Sequence, residues 1–545
     1  MKTRISILIF LMTLSLIAKS QIYKEPSLVV AIVVDQMRYD CIYRYGRHFG
    51  ENGIKRLINE GTTCTNAHYE YLITESAPGF ATIFTGANPC NNGIIGNSWF
   101  ERLENKVQTA VGDNNYQSVG AISNTGQSSP LQIRGTTLGD EIKLATFKRS
   151  KVFSISLNNR SAILAGGRLA DGVYWLDDST GNWITSSYYQ PMLPLWVNDF
   201  NNKHLCDSYI EKGWYTLKNN RQYIESLPDN SIYEIGFAGQ TIFPYNLQQL
   251  SKYIKYGIMK YTPYGNSIVT DFAISTIENE KLGSDEFPDL LVVNYSAPGN
   301  ISDAYGIRSI ELEDTYLRLD NEVKTLLDSL DVKVGKNNYI VFFTSDRGSA
   351  DAPSFLKELG IPGGQLNCKN SMTILNSYLS GLYGQAKWVD KYHSRNIYLN
   401  QILIESKHLN LSEVQNMAAQ LMMEFEGIDN AIPSTSLLKG NYSSGIWQQA
   451  QNTFCSEKSG DILLNFAPGW QEVSETSQEY SVSSQNSPYS HDTHVPLIFY
   501  GKNVRHKTVN RSISITDIAP TLATYLSICA PDYSSGKVIN EVMEY

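Results

Sequence analysis

The sequence predicts an α/β sandwich: a mostly parallel central sheet flanked by helices, with inserted cap subdomains. Three observations carry this. Apolar, β-branched runs recur along the chain, each ending in polar residues or Gly, as strands buried on both faces do. Helical patterns lie between them, the usual connection between parallel strands. Two long stretches, 166–262 and 366–480, break the rhythm and are too long to be structureless loops in a compact protein.

The first twenty residues, MKTRISILIFLMTLSLIAKS, carry Lys2 and Arg4, then an apolar run, then the small residues Ala18 and Ser20. That is the pattern of a cleaved export signal, and the run is shorter than the roughly 20 apolar residues a spanning helix needs. Residues 21–545 are then expected to be a single exported domain, periplasmic or secreted. SLVVAIVVD (27–35) reads as the first buried parallel strand, and KVFSISL (151–157), DLLVVNYS (289–296), NYIVFFTSD (338–346) and VPLIFYG (495–501) read likewise. IRSIELEDTYLRLDNEVKTLLDSL (307–330) repeats apolar residues at three- and four-residue steps and predicts a helix. The 166–262 stretch is rich in Tyr, Trp and Asn, and 366–480 mixes helix with Ser/Asn/Gln-rich loops. Both are expected to be caps closing over the carboxyl ends of the strands, where open α/β sheets bind ligands.

Removing the signal takes away three cations and moves the formal charge from −9 to −12. An acidic chain does not favour nucleic acid, whose binding draws on phosphate neutralisation by a basic face. No later segment is long and apolar enough to span a membrane. The seven cysteines are scattered without CxxC or metal-knuckle spacing and read as structural rather than zinc-binding; their odd number leaves at least one free thiol.

Candidate site residues gather at the predicted strand ends. Asp35 closes the first strand and Asp346 a later one. In YLITESAPGFATIFTG (71–86), Ser76 precedes Ala-Pro-Gly and an apolar stretch. Pro is tolerated in a first helical turn, so Ser76 is expected at a helix N-terminus, as a cap or as a nucleophile whose phosphate or sulfate target meets the helix N–H groups. In SPYSHDTHVPLIFYG (487–501), His491, Asp492 and His494 stand just before a strand. Asp, Ser, Asp and His at one sheet edge would suit a divalent metal that activates a hydroxyl for transfer at phosphorus.

VVAIVVDQMRYD, TESAPGFATIFTGANPCNNGIIGNSWF, SIELEDTYLRLDNEV, FFTSDRGSADAPSFLKELGIPGG, SGDILLNFAPGW, SPYSHDTHVPLIFYG and SITDIAPTLATYL occur in this order. Together they resemble the phosphate-irrepressible alkaline phosphatases of the alkaline phosphatase superfamily, with the type I phosphodiesterase and nucleotide pyrophosphatase group. The resemblance implies an alkaline-phosphatase-like fold, two zinc ions, a hydroxyl nucleophile and phosphate ester substrates. It places Asp35, Ser76 and Asp346 at one metal, where a family histidine is replaced by Arg347. At the other metal it places His494, while the family's aspartate and histidine become Gly299 and Asp303, the latter a doubtful ligand. Asn97 and Arg160 match residues that contact the phosphoryl oxygens; the lysine paired with that arginine is Asn158, and a histidine of the nucleophile segment is Phe80.

Zinc in a hydrolase needs about three good protein ligands, so at most one divalent metal, zinc or magnesium, is expected. Two readings stay open: a weakly active or non-catalytic binder of a phosphorylated small molecule or anion, and an active phosphomonoester or phosphodiester hydrolase using Ser76 with one remaining metal. A type I sulfatase is disfavoured because no Cys-x-Pro-x-Arg occurs.

Overall fold

A computed structural model describes residues 25–473, 482–484 and 486–543; the export signal expected over 1–20 and part of the serine-rich loop lie outside the described residues. The strands that matter for the site are Leu28–Val34 (β1), Thr62–His68 (β2), Val152–Ser156 (β3), Gly172–Leu176 (β4), Trp183–Ser186 (β5), Asp289–Tyr295 (β6), Tyr339–Ser345 (β7) and His494–Gly501 (β8). They lie in one sheet in the order β2-β8-β7-β1-β6-β3-β4-β5, extended by short strands at both edges. β1 pairs in parallel with β6 and β7, and β3 in parallel with β6 and β4.

The five strands expected from the sequence all form, but β8 is a correction: it runs antiparallel to both β7 and β2. An apolar run reports burial on both faces and carries no information about strand direction.

Helices cover the two faces: Ser76–Thr85 (α1), Asn159–Gly166 (α2), Tyr264–Glu280 (α3), Ala297–Tyr305 (α4), Ile310–Leu330 (α5) and Ile518–Tyr525 (α6). Alternate β1 residues serve opposite cores, as the period-two pleat requires. Leu28, Val30, Ile32 and Val34 pack with α3 and α5 residues such as Phe272 and Leu326. Val29, Ala31 and Val33 pack with Phe80, Ile163 and Leu522 of α1, α2 and α6.

The 166–262 stretch divides between sheet and cover. Its start supplies β4 and β5, and its aromatic part packs on α5. There Trp214 Nε1 and Tyr223 Oη donate to Asp314 at 2.8 and 2.6 Å, and Tyr245 Oη donates to Glu311 at 2.5 Å. Within 366–480, strands 389–393, 396–399, 428–433 and 462–466 build a separate antiparallel sheet with its own core of Leu375, Trp388, Ile397, Val414 and Phe466. The seven cysteines are free thiols, five of them buried. Among the described residues no helix is long and apolar enough to cross a membrane.

Candidate active site

In-register pairing of three parallel strands sets the site. Val34 of β1 lies opposite Ser345 of β7 and Tyr295 of β6, so Asp35 and Asp346 leave the sheet side by side at its carboxyl edge. α1 brings Ser76 to them through a close backbone approach. A Cβ on Gly79 would lie 2.2 Å from the Asp346 carbonyl oxygen, so no side chain fits where this helix meets the β7 loop.

Asp346 is fully buried and joins the group. Its Oδ2 accepts from Ser76 Oγ at 2.6 Å and from Arg347 Nη1 at 2.7 Å, while Oδ1 accepts from the Gln36 N–H at 2.9 Å. Gln36 adopts a left-handed conformation, φ 59°, uncommon for a residue with a side chain; this turns its N–H toward Asp346. Its Nε2 donates to Asp303 Oδ1 at 3.1 Å. Asp35 Oδ1 accepts from Asn294 Nδ2 at 2.7 Å. Beneath them Tyr69 Oη donates to the Ser345 carbonyl at 2.7 Å.

Burial, and next the charge of Asp346, pushes the Asp35 carboxyl well above its usual range, against the opposing pull of Arg347, the Asn294 hydrogen bond and Arg160. Arg347 is only 7 % exposed. Burial works against its charge, but Asp346, Asp303, Asp35 and Asp492 together outweigh it and hold the guanidinium more firmly protonated than in water. Arg160, at the start of α2, is shifted down by burial and by Arg347, opposed by Glu75, Asp35 and Asp346. Its Nε is buried with no hydrogen-bond partner among the described residues.

Asn97 Oδ1 accepts from the Ala77 N–H at 3.0 Å, fastening the Asn97 side chain to the N-terminus of α1. Phe80, where the resemblance implies a histidine, is fully buried in the core under α1. Asn158 precedes α2 and donates its backbone N–H to Ser156 Oγ.

The structure thus brings together Asp35, Ser76, Asn97, Arg160, Asp303, Asp346 and Arg347. It does not bring His494 into this cluster. The His494 ring lies between Tyr39 and His68, with centroids 4.4 and 4.5 Å away, and its Nε2 faces the Thr65 carbonyl at 2.9 Å. The charges acting on it are those of Asp40 and Arg38. The reason is local: His494 is the first residue of β8 and pairs with His68 of β2, two strands from β1. His491 is engaged by Ser487 Oγ at 3.1 Å. Among the described residues no group of three or more His, Cys, Asp or Glu side chains is arranged to hold a metal ion.

Two contributors escaped the sequence reading. Gln36 had no signal beyond following Asp35. Glu75 had one, its place immediately before Ser76. Its carboxylate accepts from the Asn97 N–H, and from Ser394 Oγ at 2.6 Å and Asn486 Nδ2 at 3.5 Å, tying the turn between strands 389–393 and 396–399 to the N-terminus of α1.

Residues 29–495 match the family model for type I phosphodiesterase / nucleotide pyrophosphatase. A protein described as a calcium-transporting ATPase from Myroides odoratus is 36 % identical over 529 residues, with 96 % of each chain covered. Alkaline phosphatase PafA from Elizabethkingia meningoseptica is 34 % identical over 528 residues, again with 96 % of each covered. The crystal structure of wild-type PafA superposes with a TM-score of 0.90, covering 95 % of this chain and 99 % of that one. The central sheet, the Ser76 and Asp346 pairing at its edge and these likenesses agree: the chain belongs to the type I phosphodiesterase / nucleotide pyrophosphatase family and is an alkaline-phosphatase-type hydrolase by descent.

Proposed function

We propose that this protein is an exported member of its family whose two-metal site is eroded, leaving a binder of phosphorylated small molecules or related anions with weak turnover at most. The observation that carries this reading is the double occupancy of Asp346 Oδ2 by Ser76 Oγ and Arg347 Nη1. A buried guanidinium that stays charged at all relevant pH takes the place where a family relative offers a ligand.

A zinc pair does not fit the residues present. Asp346 is committed to Ser76, Arg347 and the Gln36 N–H. Asp35 already accepts from Asn294, and His494 is held against Thr65. A Cβ on Gly299 would lie 2.9 Å from Asp35 Cβ, so the carboxylate that the family places there has no room in this backbone arrangement. Zinc sites need about three good protein ligands.

The anion-binding parts are better kept. Ser76 heads α1, whose N-terminal end carries partial positive charge. Asn97 is tied beside it, and the open Nε of Arg160 is a buried donor of the kind an oxyanion satisfies. Positioned guanidiniums stabilise phosphoryl charge without a metal. Ser76 Oγ would donate to Asp346 while the ligand's oxygens face Arg160 and the helix end.

The test combines elemental analysis of the purified chain, aryl phosphate hydrolysis and phosphate titration by calorimetry. Fewer than two zinc ions per chain, phosphate binding that is lost in Arg160→Ala, and hydrolysis far below an intact relative are expected. Full turnover that disappears in Ser76→Ala would overturn the reading in favour of an active hydrolase using Ser76 with one remaining metal, and two zinc ions per chain would overturn the erosion of the metal site itself.

A further inference from the structure

Glu75 is a buried carboxylate that the anion-binding reading does not use. It stands one residue before Ser76, is 7 % exposed, and is fixed by three donors: the Asn97 N–H, Ser394 Oγ and Asn486 Nδ2. Its carboxylate is therefore anchored on Asn97, one of the two groups that would receive a ligand's non-reacting oxygens. It is also the strongest carboxylate acting on Arg160, ahead of Asp35 and Asp346.

The charge balance around Ser76 follows. Glu75, Asp35 and Asp346 act on Arg160, and Asp346, Asp303, Asp35 and Asp492 act on Arg347, so five carboxylates surround two guanidiniums, with Asp35 pushed toward its neutral form by burial. Such a seat repels a second negative charge on its ligand, because like charges at close range in a poorly solvated site cost about tenfold or more in affinity per unit charge. Specificity often comes from a repulsive element set against the wrong ligand.

Resting on the anion-site reading, we propose that Glu75 is a specificity-determining residue that makes this site prefer singly charged phosphoryl or sulfonyl-type ligands, such as a phosphodiester, over a doubly charged phosphate monoester. The carboxylate acts by charge, at a place where a merely structural cap would require only a hydrogen-bond acceptor. Ser394, in the turn between strands 389–393 and 396–399, holds the carboxylate in place.

The test uses two inert ligands with the same ring, phenylphosphonate and methyl(phenyl)phosphinate, titrated calorimetrically at about pH 9, well above the second ionisation of such groups. The intact protein is expected to bind the monoanionic phosphinate more tightly than the dianionic phosphonate by at least about tenfold, a conservative figure for one unit charge facing another across a few ångströms. Glu75→Gln, which keeps a carbonyl acceptor for the Asn97 N–H, should abolish this preference chiefly by tightening phosphonate binding. Ser394→Ala, which removes a hydrogen bond but no charge, should retain it.

A preference for the dianion in the intact protein, or a ratio unchanged by Glu75→Gln, overturns the role of Glu75 while leaving the anion site standing. Binding of neither ligand to the intact protein overturns both. If Glu75→Gln fails to fold, Glu75→Asp and the Ser394→Ala ratio decide instead: a preference that follows the hydrogen bond rather than the charge overturns the proposal.

Discussion

Replacing Arg347 by Met tests the central claim about the site, because Met fills similar space and removes only the cation and its donors. Arg347 Nη1 lies 2.7 Å from Asp346 Oδ2, with both residues buried. Removing one partner of such a pair leaves an uncompensated charge and costs about 3–5 kcal/mol. The sign of its pH dependence follows from Asp35, whose carboxyl is already raised by burial and by Asp346, with Arg347 among the groups that lower it. Without Arg347 that shift grows. A carboxyl with a raised folded pKa contributes stability that is present below its unfolded value, about 3.9, and is lost as pH climbs through the folded value. The variant's deficit relative to the parent should therefore grow as pH rises, and is compared at about pH 5 and about pH 8. Urea denaturation of both proteins at the two pH values measures it. A deficit under about 1 kcal/mol, or one equal at both pH values, refutes the argument that this guanidinium neutralises the carboxylate pair.

Gly79→Ala places a Cβ 2.2 Å from a backbone oxygen of Asp346, so it should destabilise by about 1–3 kcal/mol and lower ligand affinity together, read by denaturation and calorimetry. Gly299→Ala should cost less, since the contact is 2.9 Å with one side-chain atom, and thermal unfolding should rank it below Gly79→Ala. Ser76→Ala removes the 2.6 Å hydrogen bond to Asp346; it should abolish any residual aryl phosphate hydrolysis while leaving phosphate binding, and hydrolysis that persists would place the reaction elsewhere. Arg347→His with Asp303→His should still bind fewer than two zinc ions in a metal titration, because His494 remains engaged with Thr65.

The sheet and its edge were legible because burial on both faces leaves a long apolar run, and because such runs ended in the Asp35 and Asp346 that the structure sets side by side. Ser76 was legible from Pro78 in the first turn of α1. Strand direction was not: the β8 run has the same apolar character as the parallel strands but enters from the opposite end. His494 shows the limit of reasoning by order along the chain. Its motif was in place, yet pairing with His68 spends its ring on β2. Glu75 could be seen beside Ser76, but its meaning depended on Ser394, which is 319 residues away.

The position of β8 bears on how the molecule comes into being. It sits between β2 and β7, so the sheet has a gap until residues 494–501 have been made and have found it. Up to then β2 and β7 offer unpaired edges, the templates from which strand-to-strand aggregation starts. Closing the gap demands contacts between segments more than four hundred residues apart along the chain, a slow step for any polypeptide. A nascent chain still short of His494 is a nearly full-length product with its central layer split open. Such a product is a natural client for a holding chaperone until synthesis ends.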